Sequence, residues 1–512
     1  MCLVLATGLL TSVLAASPAA DAAFALFWKA DNPSDAQKAA DAIAKSGVTF
    51  DDALARLKEG RTYSATAPKG IVRLSNRIGS TDFPYIVEVP ETYTPDRKYQ
   101  VRVQLHGGVG RPDASQRGNG IGALAGAEQI YVLPTAWAEA EWWTDRQLEN
   151  IRAILDHVKR TYNVDENRVV LSGVSDGATA AYYVAMREVT PFASFLPLNG
   201  AIAVLRSSNV SLDGELYPNN YLNKPFFIVN GGRDPLYPTS LVEPYIEHMR
   251  KNGVTLTYLP QAEGVHNTSW WPEVKDVYEA FVAAHPRNPL PDTLTWESDG
   301  TATANRVDWL VIDRLAAPKV EREPLHDLND FGSAPELNFG IRASGTRVTS
   351  VVAGSNAARF GVLPDDIISR INAQAIPPGV PVLDLLSIHD KGEAMTIVVT
   401  RGGNQVELKG TYDPTAMVRT VPIFGHTKPS GRVDLRKDGN TVTATTRRVS
   451  EFTLLLSPAA FDFSKPITVV ADGKTVFDGR VAPSVATLAK WAAHDNDRTM
   501  LFGAELKVKL PE

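Results

Sequence analysis

The chain has 512 residues, 44% hydrophobic and 21% charged, which fits two to four domains of about 100 to 200 residues each and rules out a single compact module or a disordered chain. Fifty-two Lys and Arg stand against 58 Asp and Glu, a net charge of -6, and no basic run could neutralise a row of phosphates, which argues against a nucleic-acid partner. Cys2 is the only cysteine, so a disulfide framework, a Cys-ligated zinc and a cysteine nucleophile are all excluded from the body of the chain.

The apolar stretch Leu3 to Ala16 is too short for the roughly 20 residues of a membrane helix and runs into small residues, so it reads as the core of a signal peptide. Cleavage is expected near Ala20-Asp21-Ala22, or earlier at Val13-Leu14-Ala15, although no Lys or Arg precedes Lys29. This gives a leader over 1–22, an exported protein and no stable membrane span. Ser34 to Glu59 is alanine-rich and charged and reads as two short helices within a helical segment over 23–69.

From about residue 70 apolar strands alternate with amphipathic helices. Strands are expected at Tyr99 to Leu105, Gln129 to Leu133, Arg168 to Leu171, Ala193 to Leu198, Pro225 to Val229 and Val254 to Leu259. Leu148, Ile151, Ile154, Leu155 and Val158 recur at helical spacing, so Asp145 to Arg160 is a helix with one buried face; Leu241 to Asn252 and Glu273 to Ala284 are further helices. Strands separated by helices imply an α/β fold with a parallel, doubly covered sheet over 70–290. Beyond Pro286 the pattern turns to β. Thr293 to Leu315 reads as a hairpin within 291–330, residues 331–413 as a separate unit, and 414–512 as short strands with Asp438-Gly439 and Asp472-Gly473 at turns. The first and last of these segments are expected to share one sandwich.

Gly173-Val174-Ser175-Asp176-Gly177 lies between an apolar strand and an alanine-rich run. A strand-to-helix turn this sharp leaves no room for side chains two residues before and after the serine, and it exposes the Ser175 hydroxyl at the end of the sheet. A serine needs a base, and the base needs an acid to hold its tautomer. Of the three histidines downstream within the sheet domain, His248 and His285 fall on or at the end of helices, whereas His266 lies in a loop after a strand. Asp234 follows a fully apolar strand and two glycines, 32 residues before His266. His106-Gly107-Gly108 closes an early strand, so Gly107 or Gly108, with the backbone N–H of Asp176, is the candidate oxyanion hole, the Asp176 side chain being expected to point away. Trp142, Trp143, Trp270 and Trp271 are candidates for an aromatic wall around the substrate. Neither metal nor cofactor is called for.

On these motifs, together with Asn230-Gly231-Gly232-Arg233-Asp234 and Gly264-Val265-His266, residues 70–290 resemble an α/β-hydrolase of the esterase group that includes polyhydroxybutyrate depolymerase-like and feruloyl-esterase-like proteins. The resemblance implies a serine hydrolase acting on carboxylic esters. Phe339-Gly340-Ile341 and the ordered run Gly354 to Asn372 resemble a PDZ domain of the kind attached to bacterial periplasmic proteases. In such domains an apolar-Gly-apolar loop turns N–H groups towards a peptide carboxylate, so peptide C-termini become possible partners. Two other readings stand beside ester hydrolysis: a serine peptidase of the prolyl-oligopeptidase type, and a PDZ-centred binding scaffold with an inactive hydrolase domain.

Overall fold

The computed structural model describes residues 18–110, 120–207, 215–317, 339–377, 391–413 and 428–510, with short pieces between them. The chain begins with three helices, α1 (Pro18–Lys29), α2 (Pro33–Lys45) and α3 (Phe50–Glu59). Asn32 and Thr49 cap the second and third by accepting from backbone N–H groups three residues on. Their apolar faces pack on a helix from the far end of the chain, Val485–Asp495, in a small core that includes Phe24, Phe27, Ile43, Leu57 and Leu488. Ala20-Asp21-Ala22 therefore lies inside a helix, with Ala20 fully buried and Asp21 ion-paired to Arg56 at 2.7 Å. No structural break falls at 22/23. The apolar stretch Leu3 to Ala16 and the Val13-Leu14-Ala15 site lie outside the described residues. No helix among the described residues is long and apolar enough to cross a membrane.

An eight-stranded sheet follows. Its elements are β1 (Gly70–Ile78), β2 (Thr81–Val89), β3 (Tyr99–Leu105), β4 (Ile130–Pro134), α4 (Asp145–Thr161), β5 (Val164–Val174), α5 (Asp176–Arg187), β6 (Ser194–Leu198), β7 (Phe226–Gly231), α6 (Thr239–Lys251), β8 (Leu256–Gln261) and α7 (Trp271–Ala284). The strand order is β1-β2-β4-β3-β5-β6-β7-β8, the arrangement that the resemblance to α/β-hydrolases implies. The sheet is mixed rather than purely parallel: β1, β2 and β4 pair antiparallel, whereas β4, β3, β5, β6, β7 and β8 run parallel. The reason is local, because a two-residue turn at Gly79-Ser80 joins β1 to β2 and leaves no room for a crossover. Leu148, Ile151, Leu155 and Val158 of α4 and most of α5 cover one face, and Trp271, Val274, Tyr278 and Phe281 of α7 cover the other.

The strands β9 (Thr293–Ser298), β10 (Arg306–Val307) and β11 (Leu310–Leu315) do not form the expected hairpin. Past β12 (Ala334–Pro335) comes a unit of β13 (Ile341–Ser344), β14 (Arg347–Val351), α8 (Asn356–Phe360), β15 (Ile367–Ile371), β16 (Gln374–Ala375), α9 (Val382–Leu386), β17 (Ala394–Arg401) and β18 (Asn404–Thr411). It closes on its own core of Phe339, Ile341, Phe360, Ile368 and Ile397. After it, β19 (Val418–Arg419) pairs with β12. The remaining elements are β20 (Gly431–Asp438), β21 (Thr441–Arg447), β22 (Val449–Leu456), β23 (Ile467–Ala471), β24 (Lys474–Gly479), α10 (Val485–Asp495) and β25 (Ala504–Lys509). β9 pairs with β20 in a sheet ordered β24-β23-β21-β20-β9, and β11 pairs with β22 in one ordered β10-β11-β22-β25. The two strands part because each finds a longer partner beyond residue 430, and the buried Trp296 and Trp309 join the large core that also holds the eight-stranded sheet.

That junction carries buried charge. The Asp497 carboxylate lies 2.6 Å from the Arg287 guanidinium and 3.8 Å from the Lys159 ammonium, all three almost wholly buried. Burial alone would raise the Asp497 carboxyl, but the charges of Arg287 and Lys159 outweigh it and hold it down at about 2. A carboxylate held below its unfolded value contributes stability above pH ~4 and loses it as the pH falls towards its folded value. Asp497→Ala removes the carboxylate that Arg287 and Lys159 share in the interior, a loss expected to cost about 3–5 kcal/mol. Urea denaturation at pH 7 should show the midpoint fall, and the gap between variant and wild type should narrow on titration to pH 2.

Candidate active site

The turn from β5 into α5 places Ser175 at φ 57°, ψ -120°, a backbone region that L side chains rarely adopt. Conformations of this kind cost on the order of 1–3 kcal/mol and persist only where the surroundings dictate them. Here the surroundings are backbone. A Cβ on Gly173 would collide with the Gly177 carbonyl, and one on Gly177 with the Leu105 carbonyl. The two flanking glycines thus let β3, β5 and α5 meet at van der Waals distance. Gly107 closes the other side: a Cβ there would lie 2.6 Å from Ser175 Cβ and 3.2 Å from its Oγ.

His266 Nε2 lies 2.8 Å from Ser175 Oγ, and His266 Nδ1 lies 2.7 Å from Asp234 Oδ2. Asp234 is fully buried, and its second oxygen accepts from the N–H groups of Leu236 (2.8 Å) and Tyr237 (3.0 Å). An acid held on both oxygens keeps Nδ1 protonated and leaves Nε2 free to accept the serine proton. His248 instead contacts the Leu328 carbonyl from α6, and His285 contacts the Phe281 carbonyl at the end of α7.

Asn199, a residue that the sequence does not single out, ties the loop of His266 to the strand that precedes Asp234. At φ 53° it donates from Nδ2 to the Asn267 carbonyl (2.7 Å) and accepts at Oδ1 from the Gly231 N–H (3.1 Å). Tyr237 adds its ring, packed edge-on against the imidazole at 5.5 Å. An asparagine after an apolar strand gives little warning of this role; the one available cue is its tolerance of left-handed backbone.

The glycine loop after β3 is fixed from two directions. The His106 Nε2 faces the Ala136 N–H at 3.1 Å and so accepts, leaving Nδ1–H to donate to the Gly107 carbonyl at 3.0 Å. In a trans peptide the N–H of Gly108 then points opposite to that carbonyl. Asp176 contributes a side chain as well as a backbone N–H at the start of α5: Oδ2 accepts from the Val109 N–H at 2.9 Å. The carboxylate expected to point away instead holds the loop that carries Gly107 and Gly108.

The four tryptophans do not form the expected wall. Trp142, Trp143, Trp270 and Trp271 are all interior. Trp142 donates to the His106 carbonyl (2.8 Å) beneath the glycine loop, and Trp271 donates to the Ala125 carbonyl (3.0 Å). Each satisfies its indole N–H on backbone, which anchors the ring in the core. Among the described residues no group of three or more His, Cys, Asp or Glu is placed to hold a metal ion. Gly173→Ala should cost about 3 kcal/mol or more, since the Cβ meets backbone that cannot yield. Unfolding free energies from urea denaturation of the variant and of Gly345→Ala, where a Cβ meets only open space, should differ by that amount after allowing for the positive φ of Gly345.

No family model matches the chain. A curated protein, the bifunctional acetylxylan esterase/xylanase XynS20E of Neocallimastix patriciarum, is 24% identical over 225 residues, covering 40% of this chain and 32% of that protein, so the chain spans about a third of its length. A thermostable esterase structure is 20% identical, with 42% of this chain and 63% of that one covered and a TM-score of 0.35. A ferulic acid esterase structure is 18% identical, with 42% and 97% covered and a TM-score of 0.33.

Proposed function

We propose that residues 70–290 hydrolyse carboxylic esters through an acyl-enzyme, with Ser175 as nucleophile, His266 as general base and acid, and Asp234 as the orienting acid. The observation that carries this reading is the unbroken line from Asp234 Oδ2 through the imidazole to Ser175 Oγ, with links of 2.7 and 2.8 Å. Attack by Oγ on the ester carbonyl passes the serine proton to His266 Nε2, which then delivers it to the departing alcohol; water repeats the sequence on the acyl-enzyme. The developing oxyanion is assigned to the N–H groups of Gly108 and Asp176, with Gly107 giving the close approach. Ester rather than peptide cleavage is favoured by the match to a relative named as an acetylxylan esterase. Export belongs to the same reading and rests on the apolar stretch Leu3 to Ala16.

Ser175→Ala is expected to lower p-nitrophenyl ester turnover on the order of 10⁶-fold, with His266→Ala similar and Asp234→Asn about 10⁴-fold. A fluorophosphonate probe that labels the wild type elsewhere than Ser175, or an alanine variant that keeps about a tenth of the activity, would refute the assignment.

The unit over 331–413 is proposed as a PDZ-like module that receives peptide C-termini at Phe339, Gly340 and Ile341. Two features support it: β13, which begins at Ile341, is the edge strand of its sheet, and Gly340 has φ 89°. An edge strand can accept a further strand through backbone hydrogen bonds. Gly340→Val should weaken binding of free-C-terminal peptides relative to amidated ones, measured by fluorescence anisotropy. Small-ester turnover should be unchanged, since Phe339 and Ile341 pack in a core separate from that of the catalytic sheet.

A further inference from the structure

Beside the candidate nucleophile a cavity of about 540 Å³ opens on the α7 side of the sheet, within the 300–1,000 Å³ range of small-molecule sites. Its mouth is formed by Gly107, Val174 and Thr268, which flank Ser175 and His266 in sequence or in space. Its floor is a row across four strands. Arg73 pairs with Ile86 and Ile86 with Leu133, and Gln104 follows the pair Val103–Val132, which sets it beside Leu133. Its roof is Gly120, Ile121 and Leu124.

The roof is a built wall. The Ile121 N–H donates to Glu88 Oε2 (2.7 Å), and the Leu124 carbonyl accepts from Arg102 Nη1 (3.0 Å). Just beyond it, the Ala125 carbonyl accepts from Trp271 Nε1 and the Gly126 N–H donates to the Tyr131 hydroxyl at 2.8 Å. Arg102 is fully buried; it also donates to Gln104 Oε1 at 3.0 and 2.6 Å and lies over the rings of Trp271 and Tyr278 at 5.0 and 4.7 Å. One guanidinium thus fixes the floor to the roof.

We propose that this cavity receives the acid part of the ester, and that the substrate carries a large, mostly apolar acyl group rather than acetyl. The inference rests on the reading of Ser175 and His266 given above. Two constraints set the direction. The carbonyl oxygen belongs at the Gly108 N–H, and the leaving oxygen must sit at His266 Nε2 to be protonated. The acid carbon chain then continues past Gly107 and Val174, into the cavity. On the other side of His266 the surface is open, with Leu236 and Val265 half exposed, so an alcohol of any size can depart there.

The test is a series of p-nitrophenyl esters, acetate to octanoate and 4-phenylbutanoate, against a second series of acetates that varies only the alcohol. Wild-type kcat/KM should rise at least about tenfold from acetate to the large acyl esters, as expected where several methylenes enter an apolar pocket. Leu133→Trp from the floor, or Leu124→Trp from the roof, should reverse that gain, lowering the ratio of large-acyl to acetate kcat/KM at least about tenfold while the order of preference within the alcohol series is kept. A flat wild-type acyl series would overturn the proposal without recourse to a variant. So would variants that shift the alcohol series instead, or that lower all esters equally with an unchanged unfolding midpoint. If no ester is turned over, the esterase reading fails, and the cavity is judged by calorimetry with methyl 4-phenylbutanoate on Ser175→Ala. Binding that Leu133→Trp removes would sustain it, and absent or unaffected binding would overturn it.

Discussion

The whole site depends on one steric condition: the backbones of β3, β5 and α5 meet at Ser175 with nothing but hydrogen on the intervening α-carbons. Gly173 rests on Gly177, Gly177 on the Leu105 carbonyl, and Gly107 on Ser175 itself. This contact over-determines the serine, which is why a φ of 57° can persist in a residue that gains nothing locally from it. The same contact delivers the glycine loop to the nucleophile, because the loop is the continuation of the strand whose carbonyl covers Gly177. Candidate nucleophile and candidate oxyanion donors are thus positioned by a single packing event, and the histidine and aspartate arrive from the parallel strands farther along the sheet.

What the sequence makes legible follows from this. A glycine that must be glycine leaves a signature, so the elbow, the early glycine loop and the loop after the apolar strand β7 could all be read in order. Ser175 and Asp234 stand out on those cues and His266 as the histidine in a loop rather than on a helix, and the imidazole lies within hydrogen-bonding distance of the other two. Asn199, Tyr237 and the Asp176 carboxylate could not be read so, since their roles consist of hydrogen bonds and ring contacts between segments 30 to 70 residues apart. The tryptophans misled for a related reason. Sequence gives the size of an indole and not the carbonyl that satisfies its N–H, and it is that carbonyl that draws Trp142 and Trp271 inward.

The β-rich tail shows the same limit at the level of strands. Alternation marked 293–315 and 431–510 as strands, but alternation does not choose partners. β9 and β11 look like neighbours in sequence and end in different sheets, each paired with a strand more than 130 residues away. Their pairing draws the tail against the eight-stranded sheet domain, where Asn219 and Asn220 bond the side chain and backbone of Glu297 and Lys224 pairs with Asp308. The unit between β12 and β19 behaves otherwise, with a core of its own. Two kinds of attachment therefore coexist in one chain: a tail fused to the core of the eight-stranded sheet through buried polar groups, and a module that closes on itself.

Arg102 shows why such buried charge is kept beside the candidate site. Burying a guanidinium is costly unless its donors are engaged and its charge is met. Here the donors go to an amide oxygen and a carbonyl, and aromatic faces meet the charge. A lysine could not replace it, because only a planar fork can reach Gln104 and Leu124 together while stacking between rings. An apolar residue would fill the space but release the segment that roofs the cavity. The guanidinium therefore acts as a strut whose two ends are the floor and the roof, tying the segment that carries Leu124 to Gln104 of β3.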